Sequence, residues 1–370
     1  MGPIKLFLCG DVMTGRGIDQ ILKHPLDPRI FESYVKDARD YIQLAERSGV
    51  QIPRKVNSEY IWGDALKEWD QRNVHASIIN LETSITTWDN HWPLKEIHYR
   101  MNPENIEVLT TAGMNTCVLA NNHLMDWGKK GLIETIDTLE KAGIKHSGAG
   151  KNLTEARAPA IVHLPGGNRI LIFSLGLPSS GIPLSWEAKK KEPGVYLVKN
   201  LEEEIHRIER HIKKIKRKDD LVVLSIHWGG NWGYSIPSSH IKFAQKIIDT
   251  SQVDIIYGHS SHHPIALEIY HKKLILYGCG DFMNDYEGIS GMEFYRSDLR
   301  LMYFLEIDSK TKELIKLEIV PLKIRGFSLK YASQKDSEWM TTLLNEKSKQ
   351  FDMIFKLNNR GRIEAERMSA

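Results

Sequence analysis

The stretch Val118-Leu-Ala-Asn-Asn-His-Leu-Met-Asp126 decides how this 370-residue chain folds. Residues 116–120 form an apolar run that is typical of a buried strand, and the run ends in two amides and an imidazole at 121–123. A helical pattern of apolar residues follows over 129–142. A strand that delivers polar side chains to its C-terminal end, just before a helix, predicts an open α/β sheet with a site at that edge.

The composition is that of an ordinary globular protein, with 41% hydrophobic, 26% charged and 9% aromatic residues. A formal net charge of +3 is too small to indicate a nucleic-acid or membrane partner. No run reaches the length of a transmembrane helix and the N-terminus enters a strand at once, which predicts a cytoplasmic protein without a signal peptide. Cys9, Cys117 and Cys279 lie in or beside apolar runs and match no zinc motif, so they predict buried, reduced thiols.

A chain of this length can make one large α/β domain or two smaller ones, and we assign residues 1–330 to a single domain. Residues 20–75 are weakly patterned and predict a helical insertion that covers one edge of the site. Residues 83–101 are rich in aromatic, His and Arg side chains, which indicates a loop on the substrate side or, alternatively, a packed surface hairpin. Residues 331–370 are charged and helix-prone, and predict a helical tail that either covers the domain or is partly disordered.

Polar side chains follow several predicted strands, at the point where each strand ends. They are Asp11, Glu82, Asn122, His123, His227, His259 and His262. Two carboxylates, an amide oxygen and three or more imidazoles, with no thiolate, make the ligand set that suits Zn²⁺, Mn²⁺ or Fe. One or two such ions would generate a hydroxide nucleophile and polarise a phosphoryl oxygen, while a neighbouring imidazole would protonate the leaving group.

Other positions near these strand ends predict contacts with substrate. Arg16, between two glycines, either lies in a flexible loop or brings a guanidinium near an anion. Trp228 directly follows His227 and is a candidate substrate contact.

The motifs Gly-Asp-Val-Met (10–13), Asn-Leu-Glu (80–82), Leu-Ala-Asn-Asn-His (119–123), His-Trp-Gly (227–229), Gly-His-x-x-His (258–262) and Gly-Asp-Phe (280–282) occur in this order. Together they resemble the CapA/PgsA proteins of poly-γ-glutamate capsule biosynthesis, within the calcineurin-like metallophosphoesterase superfamily. The resemblance covers about residues 4–325. It implies a four-layer α/β/β/α sandwich in which helices flank two central mixed sheets.

The resemblance also implies roles for individual residues. His123 matches the catalytic imidazole, Asp126 would orient it, and Asp11 would serve both as a ligand and as a catalytic group. Tyr99 and Arg100 match a substrate-side segment. The implied metal ligands are Asp11, Glu82, Asn122, His227, His259 and His262.

This sequence departs from the superfamily pattern at three places. The superfamily begins Asp-x-His, whereas Met13 stands at the third position here and is a poor ligand for hard metals. Glu82 replaces the bridging Asp, and two residues rather than one separate His259 from His262, so His263 competes with His262 for its role. The departure at Met13 predicts a weak or empty second metal site.

Three functions follow as hypotheses. The first is a metal-dependent hydrolase that acts on a phosphoester or a γ-glutamyl-type amide, in a small-molecule, peptide or polyglutamate-type substrate. The second is a metal-independent peptide epimerase, in which Asp11 and His259 or His262 exchange a Cα proton. The third is a non-catalytic scaffold that binds an anionic polymer or a partner protein.

Overall fold

The computed structural model describes residues 2–367, and its centre consists of two β-sheets. The strands are β1 (Ile4–Val12), β2 (Ala76–Leu81), β3 (Ser84–Ile85), β4 (Arg100–Met101), β5 (Thr116–Val118), β6 (Lys145–Ser147), β7 (Ala149–Gly150), β8 (Ala160–His163), β9 (Arg169–Gly176), β10 (Gly194–Val195), β11 (Leu221–His227), β12 (Ile255–His259), β13 (Leu267–Tyr270), β14 (Lys273–Leu276), β15 (Asp281–Met283), β16 (Leu299–Ile307), β17 (Leu314–Arg325), β18 (Ser328–Tyr331), β19 (Met353–Leu357) and β20 (Ile363–Arg367).

Helices connect and cover these strands. They are α1 (Arg16–Ile21), α2 (Arg39–Glu46), α3 (Ala65–Arg72), α4 (Glu107–Thr111), α5 (Gly128–Lys141), α6 (Leu153–Arg157), α7 (Leu201–Ile215), α8 (Ser238–Ser251) and α9 (Gln334–Ser348). Within residues 2–367 no helix combines the length and the apolar character needed to cross a bilayer.

Both sheets are mixed. The larger has the order β19-β20-β17-β16-β1-β2-β5-β6, with β15 also paired to β1 and β18 to β17, and the smaller has the order β13-β14-β12-β11-β9-β8. Strands β1, β2, β5 and β6 are parallel to one another, and so are β9, β11, β12 and β14. The carboxyl ends of each parallel set therefore meet at one edge of its sheet.

The alternation of side chains along β1 explains why the layers form. Leu6 and Leu8 are fully buried in the core shared with the smaller sheet, whereas Phe7 and Cys9 pack in a second core that includes residues of α3 and α5. On the smaller sheet, α7 adds its apolar stripe to the first core, and its N-terminus is capped by Asn200 as predicted. The predicted α/β/β/α sandwich is confirmed.

The C-terminal segment extends the larger sheet. After α9 the chain forms β19 and β20, and β20 pairs antiparallel with β17. The predicted helical tail did not include these strands, because charged residues such as Lys356, Glu364 and Glu366 interrupt their apolar pattern. The three cysteines are buried and free, as predicted.

Candidate metal centre and catalytic site

The ends of strands from both sheets meet at the site. In the larger sheet Asp11 lies beside Asn80 of β2 and Asp281 of β15, and in the smaller sheet His227 lies beside His259. Asp11, His227 and His259 each lie at or next to the end of a strand whose preceding residues are buried, so the sheets fix the backbone at this edge. The two sheets thus present a carboxylate and two imidazoles toward each other.

Asp11, His227 and His259 form the candidate metal centre. One ligand atom from each lies within 4.8 Å of the other two, and all three residues are buried. The Nδ1 atoms of His227 and His259 are 2.7 Å apart, and Nδ1 of His259 is 3.8 Å from Oδ1 of Asp11. A convergent set of one carboxylate and two imidazoles suits Zn²⁺, Mn²⁺ or Fe, so the residues fit the metal that the sequence predicts.

Neighbouring polar groups orient these three side chains. Ser225 Oγ lies 2.6 Å from Nε2 of His259, on the ring edge opposite the centre. Asn80 donates its amide to Oδ1 of Asp11 at 2.7 Å, and the backbone N–H of Ser260 donates to Oδ2 at 3.2 Å. Such outer partners fix the ring and carboxylate orientations that a metal requires.

Burial sets the electrostatics of the centre. It raises the pKa of Asp11 to about 7, with the nearby Asp281 carboxylate adding to the effect, and it raises the pKa of Glu82 well above the usual value. Burial also lowers the pKa of His227 and brings that of His259 to about 3. The imidazoles are therefore neutral and able to bind metal, and a bound cation would stabilise the charged form of the clustered carboxylates.

We predict that the affinity for Mn²⁺ falls as the pH drops below about 7. Because the raised pKa keeps Asp11 protonated below that pH, an entering ion must displace this proton, and the apparent affinity should fall by up to about tenfold per pH unit. Isothermal titration calorimetry between about pH 6 and about pH 8, in buffers of different ionisation enthalpy, measures both the affinity and the released proton. An affinity that stays constant over this range would contradict the prediction.

Glu82 and Asn122 lie on one side of the centre. Oε1 of Glu82 is 3.9 Å from Nε2 of His227 and 3.9 Å from Nε2 of His123, and Oδ1 of Asn122 is 3.1 Å from Nε2 of His227. Met13 is buried, and its backbone N–H donates to Met283. Within residues 2–367, the only group of three or more His, Cys, Asp or Glu close enough to hold one ion is the Asp11 group.

His262 lies outside that group. Its Nδ1 is 2.9 Å from Oδ1 of Asp281, whose other oxygen accepts a hydrogen bond from Asn284 at 2.6 Å. Burial alone would lower the pKa of His262, but Asp281 raises it above the usual value. His263 instead places Nδ1 3.1 Å from the carbonyl of Pro264. The sequence analysis missed Asp281, although the Gly-Asp-Phe motif at a strand end signals it.

His123 forms a second histidine–carboxylate pair. Its Nδ1 is 2.7 Å from Oδ2 of Asp126, which also accepts the backbone N–H of Tyr99 at 2.7 Å. The Tyr99 ring stacks on the imidazole, with ring centroids 4.1 Å apart. Burial lowers the pKa of His123 well below its usual value and raises that of Asp126 to about 6. Lys95, which the sequence analysis also missed, contacts both members of the pair.

The structure brings one of the predicted substrate residues, Tyr99, against the imidazole of His123. The buried Arg16 guanidinium is instead held by two carboxylates, Asp285 and Glu32.

The other two predicted substrate residues also use their polar groups within the protein. Arg100 stacks on Trp127 at 3.9 Å and donates to the carbonyl of Trp88. The Trp228 indole donates to the carbonyl of Tyr277 at 2.9 Å and stacks on His240 of α8.

Comparison with known proteins identifies the family of this chain. Residues 5–286 match the family described as "Bacterial capsule synthesis protein PGA_cap". The chain belongs to the PGA_cap family. The predicted resemblance to the CapA proteins is therefore confirmed, and the matched range includes Asp11, Glu82, His123, His227 and His259.

Individual PGA_cap relatives match over most of their length. A protein of Mycobacterium tuberculosis named "Probable polyglutamine synthesis accessory protein" is 41% identical over 94% of this chain and 92% of its own. The PGA biosynthesis protein CapA of Bacillus subtilis is 25% identical over 95% of this chain and 79% of its own. The capsule biosynthesis protein CapA of Bacillus anthracis is 26% identical over 88% of this chain and 69% of its own.

Proposed function

We propose that this PGA_cap protein is a metal-dependent hydrolase that cleaves a phosphoester or a γ-glutamyl-type amide during the synthesis of a glutamate polymer. The observation that carries the proposal is the placement of the buried Asp11–His227–His259 group beside the His123–Asp126 pair. A metal ligand set next to an oriented imidazole can supply both a nucleophile and a general acid for hydrolysis of either bond.

Asp11, His227 and His259 would hold a Mn, Fe or Zn ion, and Glu82 with Asn122 are placed to contribute to a second, weaker site. When bound, the ion supplies Lewis-acid polarisation and a hydroxide nucleophile at neutral pH. Asn80 and Ser225 hold Asp11 and His259 in the orientation that binding needs.

His123 would act as the general acid. Its Nδ1 is hydrogen-bonded to Asp126, which leaves Nε2 as the atom that can take up a proton from the attacking water and pass it to the leaving group. Nε2 faces the same Glu82 oxygen as His227 does, so the proton leaves on the side of the metal centre. The stacked ring of Tyr99 limits rotation of the imidazole and helps to exclude water.

The names of the relatives support a substrate of the glutamate-polymer class, because they describe proteins of polyglutamine synthesis and PGA biosynthesis. Both candidate bonds fit this class: a phosphoester in an activated or linked precursor, and the γ-glutamyl amide of the chain itself. Tyr99, whose ring stacks on His123, is the proposed substrate-side residue, whereas the polar groups of Arg16, Arg100 and Trp228 are engaged within the protein.

The test uses two chromogenic probes, p-nitrophenyl phosphate and γ-glutamyl-p-nitroanilide. We expect the Mn²⁺-loaded protein to release p-nitrophenol or p-nitroaniline catalytically, and EDTA to stop the reaction. Turnover that persists unchanged in EDTA, or no turnover of either probe or of poly-γ-glutamate with any of the three metals, would refute the proposed hydrolase.

A second candidate function, peptide epimerisation, is favoured by the His262–Asp281 pair. This pair lies outside the metal group, and its electrostatic interaction with Asp11 influences the pKa of that carboxyl. Asp11 and His262 could remove and return a Cα proton without a metal. Incorporation of deuterium from solvent into a peptide in the presence of EDTA would support this function, and its absence would exclude it.

A further inference from the structure

The segment on the substrate side of the site carries a buried lysine that reaches the catalytic pair. The short strands β3 and β4 pair in parallel and close the segment between them into a loop. Within this loop Lys95 extends inward, and only 16% of its side chain is exposed. Its Nζ lies 3.0 Å from Nδ1 of His123 and also contacts Oδ1 of Asp126 and the backbone carbonyl of Asn122.

We propose that Lys95 is a positioning residue for the hydrolytic reaction, and that it holds His123, Asp126 and the Asn122 peptide in one fixed arrangement. This inference rests on the proposed function. It assigns to the loop a role beyond substrate recognition, because a single side chain of the loop contacts the imidazole, the carboxylate that orients it and the neighbouring metal-ligand candidate.

The hydrogen-bonding chemistry of the ammonium group matches these partners. A lysine ammonium has three donors and no acceptor. Two of the groups around Nζ, a carboxylate oxygen of Asp126 and the carbonyl of Asn122, are acceptors only, whereas Nδ1 of His123 is engaged with the other oxygen of Asp126 and lies 3.0 Å from Nζ. The ammonium therefore satisfies two buried acceptor oxygens at once, which would otherwise lose this donor, and it lies directly against the ring nitrogen that Asp126 orients.

The two carboxylate oxygens of Asp126 contact different groups. Oδ2 faces Nδ1 of His123 and the backbone N–H of Tyr99, and Oδ1 contacts Lys95. Because the ammonium neutralises the carboxylate and fixes its second oxygen, the carboxylate cannot rotate away from the imidazole. A neutral replacement of Lys95 would free that rotation and leave the Asp126 charge buried without its cation.

The loop itself is tied to the same residues. The backbone N–H of Trp92 donates to the carbonyl of Asp126 at 2.7 Å, and the Trp92 ring packs edge-on against Trp186. Nζ of Lys95 lies 5.3 Å from the centre of the same Trp186 ring. Lys95 is thus held in place by the loop, and its position is not that of a freely moving surface lysine.

The first test compares Lys95→Met with Lys95→Arg and with Lys130→Met. Lys130 is the matched control, because it packs on Trp88 of the same loop at 3.7 Å but lies on α5 and is exposed. On the probe that the wild type hydrolyses, Lys95→Met should lower kcat by about 10- to 100-fold with little change in KM, Lys95→Arg should recover part of the loss, and Lys130→Met should match the wild type. A kcat for Lys95→Met within about twofold of the wild type would overturn the proposal.

The second test measures the hydrogen bonding of the His123 imidazole by NMR and does not depend on enzymatic activity. Long-range ¹H–¹⁵N spectra of metal-free, ¹⁵N-histidine-labelled protein report the hydrogen bonding of each ring nitrogen. We expect Lys95→Met to move the Nδ1 signal of His123 and to leave the signal of His75, at the other end of β2, unchanged. An unchanged His123 signal would overturn the proposal. If the wild type hydrolyses neither probe, the proposed function fails and this spectrum alone decides the role of Lys95.

Discussion

Asp11→Asn should reduce metal binding to a level that calorimetry does not detect. It should also lower kcat/KM by more than about 100-fold, because mutating even an outer partner of a metal ligand costs up to about that factor. Asp11 is the only carboxylate in the group that it forms with His227 and His259. The amide has nearly the same volume and still accepts the hydrogen bond from Asn80, so the fold should be kept while the anionic ligand is lost. Titration with Mn²⁺ and steady-state kinetics on the responsive probe measure the two effects.

The control for this variant is Asp254→Asn. Asp254 is also a buried aspartate, but it immediately precedes β12 and therefore lies at the opposite end of that strand from His259. It accepts hydrogen bonds from Val222 and Lys273 and has no contact with the site residues. We expect it to bind Mn²⁺ as the wild type does. Equal Mn²⁺ affinity in Asp11→Asn and the wild type would show that the centre lies elsewhere.

His123→Gln should lower kcat by about 10²- to 10⁴-fold, the range for loss of a general acid, and should leave the amount of bound metal unchanged. The imidazole lies beside the metal group but is not one of its three members, so the variant should lose turnover without losing bound metal. Asp126→Asn should lower kcat in the same direction, because an amide would no longer fix the orientation of Nδ1. Kinetics and elemental analysis of the same preparations measure both quantities.

His75→Gln serves as the control for these two variants. His75 accepts the backbone N–H of Lys5 and directly precedes β2, at the end of the larger sheet opposite to the site. Its replacement should leave kcat at the wild-type value. A His123→Gln variant that retains full kcat would show that another group protonates the leaving atom, and His262 with its Asp281 partner would be the first alternative to mutate.

The α/β class of the fold and the strand-end positions of the site residues could be predicted from the sequence for one physical reason, whereas the four layers were implied by the family resemblance. Buried parallel strands read as continuous apolar runs, and their carboxyl ends must meet at one edge. Asp11, His227 and His259 each follow such a run, so the strand pattern predicts their positions at sheet edges, and the packing of the two sheets, which the family resemblance implies, brings Asp11 to the two histidines.

The residues that the sequence did not reveal depend on side-chain directions and on distant partners. Nothing in the Gly-Arg-Gly segment shows that Arg16 pairs with Asp285, which is 269 positions away. Lys95 lies in a loop without periodicity, and only the folded loop directs it to Asp126.

The choice between His262 and His263 likewise required the structure. Ser260 adopts a positive φ of 106°, and the irregular turn that contains it sends His262 toward Asp281 and His263 toward Tyr295. A two-residue spacing from His259 does not by itself fix these directions.

The most direct test of the metal centre is an anomalous difference map from crystals grown with Mn²⁺ and measured on both sides of a metal absorption edge. The account predicts a peak within coordination distance of the side chains of Asp11, His227 and His259, and the loss of this peak in Asp11→Asn crystals. A peak at other residues, or a map without a peak in crystals that contain Mn²⁺, would contradict the assignment of the centre.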